Sequence, residues 1–135
     1  MDKALTNRVR WVGMILLIWN LIGVGFFISQ FTMASADIAR MPSTQHFLWT
    51  HMSAWVWIAY AVAVAAGTLG ALGLVLRKGW AFWPSALGLI AVIIQFTNPA
   101  LLQVASEQGM GIMAFPLFII AIAAAQTWLA WRWRG

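Results

Sequence analysis

The chain has 135 residues, 63% of them hydrophobic and 8% charged, with a formal net charge of +5 and no cysteine. An average soluble domain is about 45–50% apolar and about 25% charged; a globule this small cannot hide the excess from water, so lipid is part of its solvent. The lack of cysteine excludes a disulfide framework, a thiolate metal site and a thiol redox pair, and the length leaves room for a single domain over residues 1–135.

The charges divide the chain into four uncharged intervals, 11 to 36, 41 to 76, 79 to 106 and 108 to 131. A helix needs about 20 apolar residues to cross about 30 Å of hydrocarbon, so each interval supplies one crossing. The predicted fold is all-α, an integral membrane four-helix bundle.

In chain order, helix 1 is predicted over residues 11–33. Ala34-Ser35-Ala36 before Asp37 resembles a signal-peptidase site, but the apolar stretch is longer than the about 7–15 residues of a signal core, so a retained helix is expected. An outer connection follows to Met52, with Asp37, Arg40, Gln45, Phe47 and Trp49 suggesting an interfacial segment. Helix 2 is predicted over 53–76. The tight turn Arg77-Lys78-Gly79-Trp80 makes helices 2 and 3 antiparallel neighbours. Helix 3 covers 81–97 and stops at Asn98-Pro99, because proline disfavours helix in the residue before it. A short outer loop around Glu107 to Gly111 leads into helix 4, over 111–131.

With four spans both termini share a side. That side carries Lys3, Arg8, Arg10, Arg77, Lys78, Arg132 and Arg134, while Arg40 stands opposite with Asp37 and Glu107. The asymmetry predicts cytoplasmic termini by the positive-inside rule. The basic residues form short clusters at membrane borders rather than one patch, so nucleic acid is not an expected partner; the bilayer is. Trp11, Trp80, Trp83, Trp128, Trp131 and Trp133 fall at the cytoplasmic border, Trp49, Trp55 and Trp57 at the outer one, and only Trp19 lies deep. This is the head-group belt expected of amphipathic rings.

Small residues recur every four positions on helix 2, at Ala59, Ala63, Gly67 and Ala71, with Ala66 and Gly70 beside them. Ala121 and Ala125 repeat the spacing on helix 4. Such ridges let backbones approach where hydrophobicity does not drive association, within one chain or in a homodimer. A faint repeat accompanies them. Gly23 to Thr32 and Gly88 to Thr97 share Gly, Ile28/Ile93 and Gln-Phe-Thr at an offset of 65, and Ala-Ala-Gly-Thr at 65–68 echoes Ala-Ala-Gln-Thr at 124–127. Two parallel two-helix units would account for both.

The predicted spans hold no carboxylate, histidine, lysine or arginine, unlike proton-coupled carriers, which usually rely on one. Their polarity forms two layers. Asn20, Thr68 and Gln126 make an inner layer, read as interhelical hydrogen bonding. Ser29, Gln30, Ser53, Gln95 and Asn98 make an outer layer, open to two readings: structural bonding, or a ligand pocket with Trp55 or Trp57 as a stacking wall. Pro116 adds a carbonyl freed within helix 4. His46 and His51, at spacing i, i+5, fall on different helical faces, so solvated loop histidines are favoured over a metal site with Asp37 and Glu107. No phosphate loop, zinc-protease motif or nucleophile constellation is present, so neither an enzyme nor a cofactor is expected.

Leu17-Ile18-Trp19-Asn20-Leu21-Ile22-Gly23, Gln30-Phe31-Thr32-Met33, Met41-Pro42, Ala54-Trp55, Gly67-Thr68-Leu69-Gly70 and Leu76-Arg77-Lys78 together resemble a family of small four-span bacterial membrane proteins, often labelled sugar transporters. The resemblance covers helices 1 to 3 and implies an inner-membrane location and, by its label, a sugar-like solute. Met41 and Ser53 depart from the aliphatic residue and the proline of that pattern. Two functional classes follow: a small-solute carrier or binder, or a non-catalytic accessory subunit of a larger membrane complex. A roomy outer layer favours the first, a self-bonded one the second.

Overall fold

A computed structural model describes residues 3–33 and 35–133, so Ala34 of the signal-peptidase-like tripeptide, Arg134 and Gly135 lie outside the described residues. Of the described residues 88% are helical and none is in a strand, which makes the fold all-α. Seven α-helices run α1 Lys3–Phe31, α2 Ser35–Ala39, α3 Ser43–Thr50, α4 Ala54–Val75, α5 Phe82–Gln95, α6 Pro99–Gln108 and α7 Ala114–Trp133; 3-10 turns at Gly79–Ala81 and Met110–Met113 precede α5 and α7.

α1 begins eight residues before the predicted 11, because Lys3 to Arg10 holds no glycine or proline and is rich in good helix formers. The outer connection contains the short helices α2 and α3. The larger departure lies after α5. The segment leading to an expected loop around 107 to 111 is helical through Gln108, and only Gly109, at φ 97°, breaks it. Pro99 has no N–H to continue α5, so the chain tightens through Thr97 N–H to Ile94 C=O and Asn98 N–H to Gln95 C=O. The Asn98 side chain then accepts from Ala100 N–H at 3.1 Å and starts a new helix. The two axes differ by 58°.

Three helical stretches are long and apolar enough to cross a membrane, Asn7–Phe31, Ala54–Val75 and Met110–Trp133, and the bent pair of α5 and α6 makes a fourth if counted as one span. The helices that carry them alternate in direction. Val9, Leu74, Ala81 and Ala130 pack together at the end holding the termini. At the other end Leu101, Ala105 and Met113 pack with Leu48 and Phe96, beside a ring cluster of Phe27, Phe31, Trp49, Trp57 and Tyr60.

α4 is the centre, with α1 and α5 packed along it and α7 against α5. Its small-residue face explains this. Ala59, Ala66, Gly67, Gly70 and Ala71 are buried and Ala63 is half-buried. A Cβ on Gly88 would lie 3.1 Å from Gly67 N and 3.4 Å from Ala63 O, so the α4 and α5 backbones touch there. Ala121 and Ala125 are exposed and do not pack the interior. Pro116, Gln126 and Ala130 occupy the inner face of α7 instead, which turns that ridge outward.

α4 ends in a Schellman motif: Lys78 N–H donates to Gly73 C=O at 2.8 Å and Arg77 N–H to Leu74 C=O at 3.0 Å. The left-handed position belongs to Arg77, at φ 58°. A side chain there costs about 1 kcal/mol that glycine avoids. Arg77→Gly is therefore expected to raise the melting temperature in detergent; an unchanged or lower value would show that the Arg77 side chain offsets its own backbone.

Candidate functional site

One polar layer crosses the interior, and Gln126 of α7 is its hub. Gln126 is 3% exposed, and its Nε2 donates to Gly67 C=O of α4 at 3.0 Å and to Ser85 Oγ of α5 at 3.0 Å. Its Oε1 accepts from Asn20 Nδ2 of α1 at 3.0 Å. Asn20 Nδ2 also donates to Leu16 C=O one turn back, at 2.7 Å. Four helices are thereby joined at one level by one side chain. Thr127 continues the seam, its hydroxyl 3.1 Å from Ser85 C=O and 2.8 Å from Ala123 C=O. Among the described residues no buried side-chain nitrogen or oxygen lacks a partner.

Glycine is required where the layer meets α4. A Cβ on Gly67 would fall on Asn20 Oδ1. One on Gly70 would fall on the Ser85 hydroxyl, 2.8 Å from Gln126 Nε2 and 3.0 Å from Ser85 N. The stripe on α4 is thus the floor on which three polar side chains lie.

Two of the predicted inner residues, Asn20 and Gln126, meet. Thr68 does not join them; its hydroxyl donates back to Val64 C=O at 2.6 Å, which satisfies it within its own helix. The layer also contains a residue that sequence reasoning missed, Ser85, 2% exposed. A lone serine two residues after Trp83 carries no signal of its own, but it lies 65 positions beyond Asn20, the offset of the faint repeat.

The outer residues are dispersed. Asn98 is spent on capping α6, and Ser53 is exposed at the start of α4, where its side chain makes no cap bond. Trp55 is exposed, while Trp57 is packed among the other rings. Ser29 is exposed; Gln30 and Gln95 are half-buried, and their side chains bond no described residue. Their carbonyls do have partners: that of Gln30 accepts from Trp49 Nε1 and from Met33 N–H, each at 3.4 Å, and that of Gln95 from Asn98 N–H at 3.3 Å. α1 and α5 pack mainly on α4 rather than on each other, and the five outer candidates Gln30, Ser53, Trp55, Gln95 and Asn98 share no side-chain hydrogen bond or ring contact; Gln95 and Asn98 are joined by the backbone bond at the bend alone.

His46 is exposed, and His51 Nδ1 lies 2.8 Å from Phe47 C=O with its ring against that phenyl. Among the described residues no three His, Asp or Glu side chains gather. The layer itself is built of neutral amides and a hydroxyl, and Gln126 donates to the Ser85 oxygen, the reverse of what activates a nucleophile. Its arrangement ties helices together. Compared with protein-family models, curated proteins and solved structures, the chain matches none.

Loss of the hub would remove three bonds and leave Asn20 with only its bond to Leu16 C=O and the Ser85 hydroxyl without its amide donor. Gln126→Leu is expected to destabilise by about 1–3 kcal/mol, above the about 0.6 kcal/mol of an average interhelical bond in lipid. Gly70→Ala should cost more than Gly67→Ala, because a Cβ at 70 meets a backbone nitrogen and one at 67 meets a side chain that rotates. Denaturation in mixed micelles measures all three; the reverse order of the two glycines would disprove the packing account.

Proposed function

We propose that this chain is a four-span protein of the bacterial inner membrane, with cytoplasmic termini and no catalysis, serving as an accessory subunit that holds a larger membrane complex together. The observation that carries this reading is the closed layer around Gln126. Polar groups deep in such a bundle line a solute path only if they face a cavity, and here each faces another.

Two further features support the architecture. The long helices pair as α1 with α4 and α5 with α7, and the stretch between the members of each pair carries a short helix, α3 in the first and α6 in the second. These two connectors touch, through Gln108 Nε2 to Thr44 Oγ1 at 3.1 Å. The layer is also built from matching positions: Asn20 and Ser85 differ by 65, and Gly67 and Gln126 by 59. Thr68 and Thr127 share that second offset, and each donates to the carbonyl four residues back. Parallel duplicated units explain both relations, and the resemblance to small four-span bacterial proteins agrees with the span count.

A second reading is favoured by one observation. Gln30 and Gln95, 65 apart, are half-buried amides without described partners, as groups that meet a small solute such as a sugar would be. The two readings separate by reconstitution. The expected result is no sugar flux into proteoliposomes above protein-free ones, and discrete protein adducts from a photocrosslinker at Ile18 or Ile22 on the exposed face of α1 in cells. Saturable uptake abolished by Gln95→Leu would overturn the accessory reading for the carrier. The topology has its own test. Cysteines at Asn7 and Gly79 should react only from the cytoplasm and one at Ser43 only from outside; the reverse pattern would refute the orientation.

A further inference from the structure

The duplicated pattern makes the α4–α5 seam and the α7–α1 seam counterparts, yet they differ. The first is closed by small residues. A Cβ on Gly73 would lie 2.7 Å from Ala81 Cβ, and one on Gly70 would collide with Ser85. In the second, the offset of 59 puts Leu129 and Arg132 where α4 has Gly70 and Gly73, and the offset of 65 puts Leu16 where the 3-10 turn before α5 has Ala81. Leu16 and Leu129 pack against Val9 and Ala130, and the α7 and α1 backbones do not approach as those of α4 and α5 do. The result is an open cleft of about 300 Å³ between Arg8 and Val12 of α1 and Trp128, Leu129 and Arg132 of α7.

We propose that this cleft binds one anionic glycerophospholipid, its phosphate between the guanidiniums of Arg8 and Arg132 and an acyl chain along the apolar wall. Charge complementarity carries the assignment. Arg132 sits 5.1 Å from the centre of the Trp128 ring, which aligns the guanidinium while leaving its edge donors for a phosphate. Arg8 approaches from the other helix and bonds no described residue. The described carboxylates, Asp37 and Glu107, belong to α2 and α6 at the opposite end of the molecule. Deeper on α1, Val12 is 42% and Ile15 65% exposed, an apolar surface for a chain of methylenes. A basic notch above an apolar groove at the cytoplasmic border matches a phospholipid rather than a free anion, which has no use for the groove. The depth assumed for the cleft rests on the proposed four-span placement; lipid retention in detergent does not depend on which way the protein faces.

The test uses the full chain in a mild neutral detergent, titrated with phosphatidylglycerol, phosphatidylcholine or inorganic phosphate and read by native mass spectrometry and thermal shift. One phosphatidylglycerol should be retained, at about tenfold or more the affinity of phosphatidylcholine, with phosphate alone giving no shift. Arg8→Gln with Arg132→Gln should abolish the preference, while Arg77→Gln, which removes a charge from the same end outside the cleft, should keep it. Equal loss in Arg77→Gln would mean general charge attraction, and equal retention of phosphatidylcholine would mean no headgroup site. A shift with phosphate alone matching that with phosphatidylglycerol would mean a soluble-anion site; each of the three overturns the proposal. If the double variant does not fold, Leu129→Trp fills the cleft without touching a charge and should expel the lipid. Failure of the topology experiment with retention intact would leave the site standing and remove only its assignment to the cytoplasmic leaflet.

Discussion

The amide of Gln126 has two N–H donors and a carbonyl, held where the surrounding side chains are otherwise apolar. Buried without partners, such a group costs more than any contact near it returns. Its three bonds to Asn20, Ser85 and Gly67 therefore fix more than one side chain. They set the rotation of α7 about its axis and the heights of α1 and α5. They also require glycine at 67 and 70, since any Cβ there would occupy the space of the bonding atoms. The small-residue face of α4 and the polar layer are one arrangement: the first lets three helices approach, the second decides at which level they stop.

That arrangement is uneven around its centre. α4 touches α1, α5 and α7, and α5 touches α7, but α1 meets α7 through side chains, Asn20 with Gln126 and Trp19 with Phe118, without close approach of the backbones. Over its most apolar window α1 is 6% buried, against 39% for α4. Lateral association in lipid depends on packing and a few polar bonds rather than on hydrophobic exclusion. Of the long apolar helices α1 is consequently the one with the smallest buried share, held along a single seam against α4. Its outward face of Ile15, Ile18 and Ile22 is the surface most available to lipid or to another protein.

Much of this was legible in the sequence, for reasons that differ by element. The long apolar stretches are visible because charge is costly in hydrocarbon, so Arg10, Arg77, Lys78 and Arg132 punctuate the sequence between them whatever the packing. The face of α4 is visible because a four-residue period of alanine and glycine has few other uses. Asn20 and Gln126 stand out because a polar residue in an apolar run needs a partner, though sequence does not say which. Three things were hidden. Ser85 is too ordinary a residue to notice alone. Thr68 satisfies itself within its helix, as threonine does in any long helix, so its polarity said nothing about the layer. The α6 helix was masked because Asn98-Pro99 reads equally as a stop and as a start: the proline that ends α5 lacks the N–H that a first helical position does not need, and asparagine is a good cap for a new helix.

The bend at Asn98 also bears on how far α5 reaches. From Gly79 to Gln95 the first arm is 17 residues, about 25 Å of helix, short of the about 30 Å of a hydrocarbon core. α6 continues from it at an angle, and in doing so brings Leu101 and Ala105 against Leu48 of α3. A straight helix would have carried those residues away from α3 and left its inner face uncovered. The connectors therefore close one end of the molecule with an apolar cluster, while the other end stays open between Arg8 and Arg132. If the two halves are duplicates, the asymmetry lies in side-chain size alone. Where glycine and alanine were kept, at 70, 73 and 81, the helices met; where leucine and arginine stand, at 16, 129 and 132, a gap opened between two cations. Packing then determines where a charged ligand from the bilayer has room to enter.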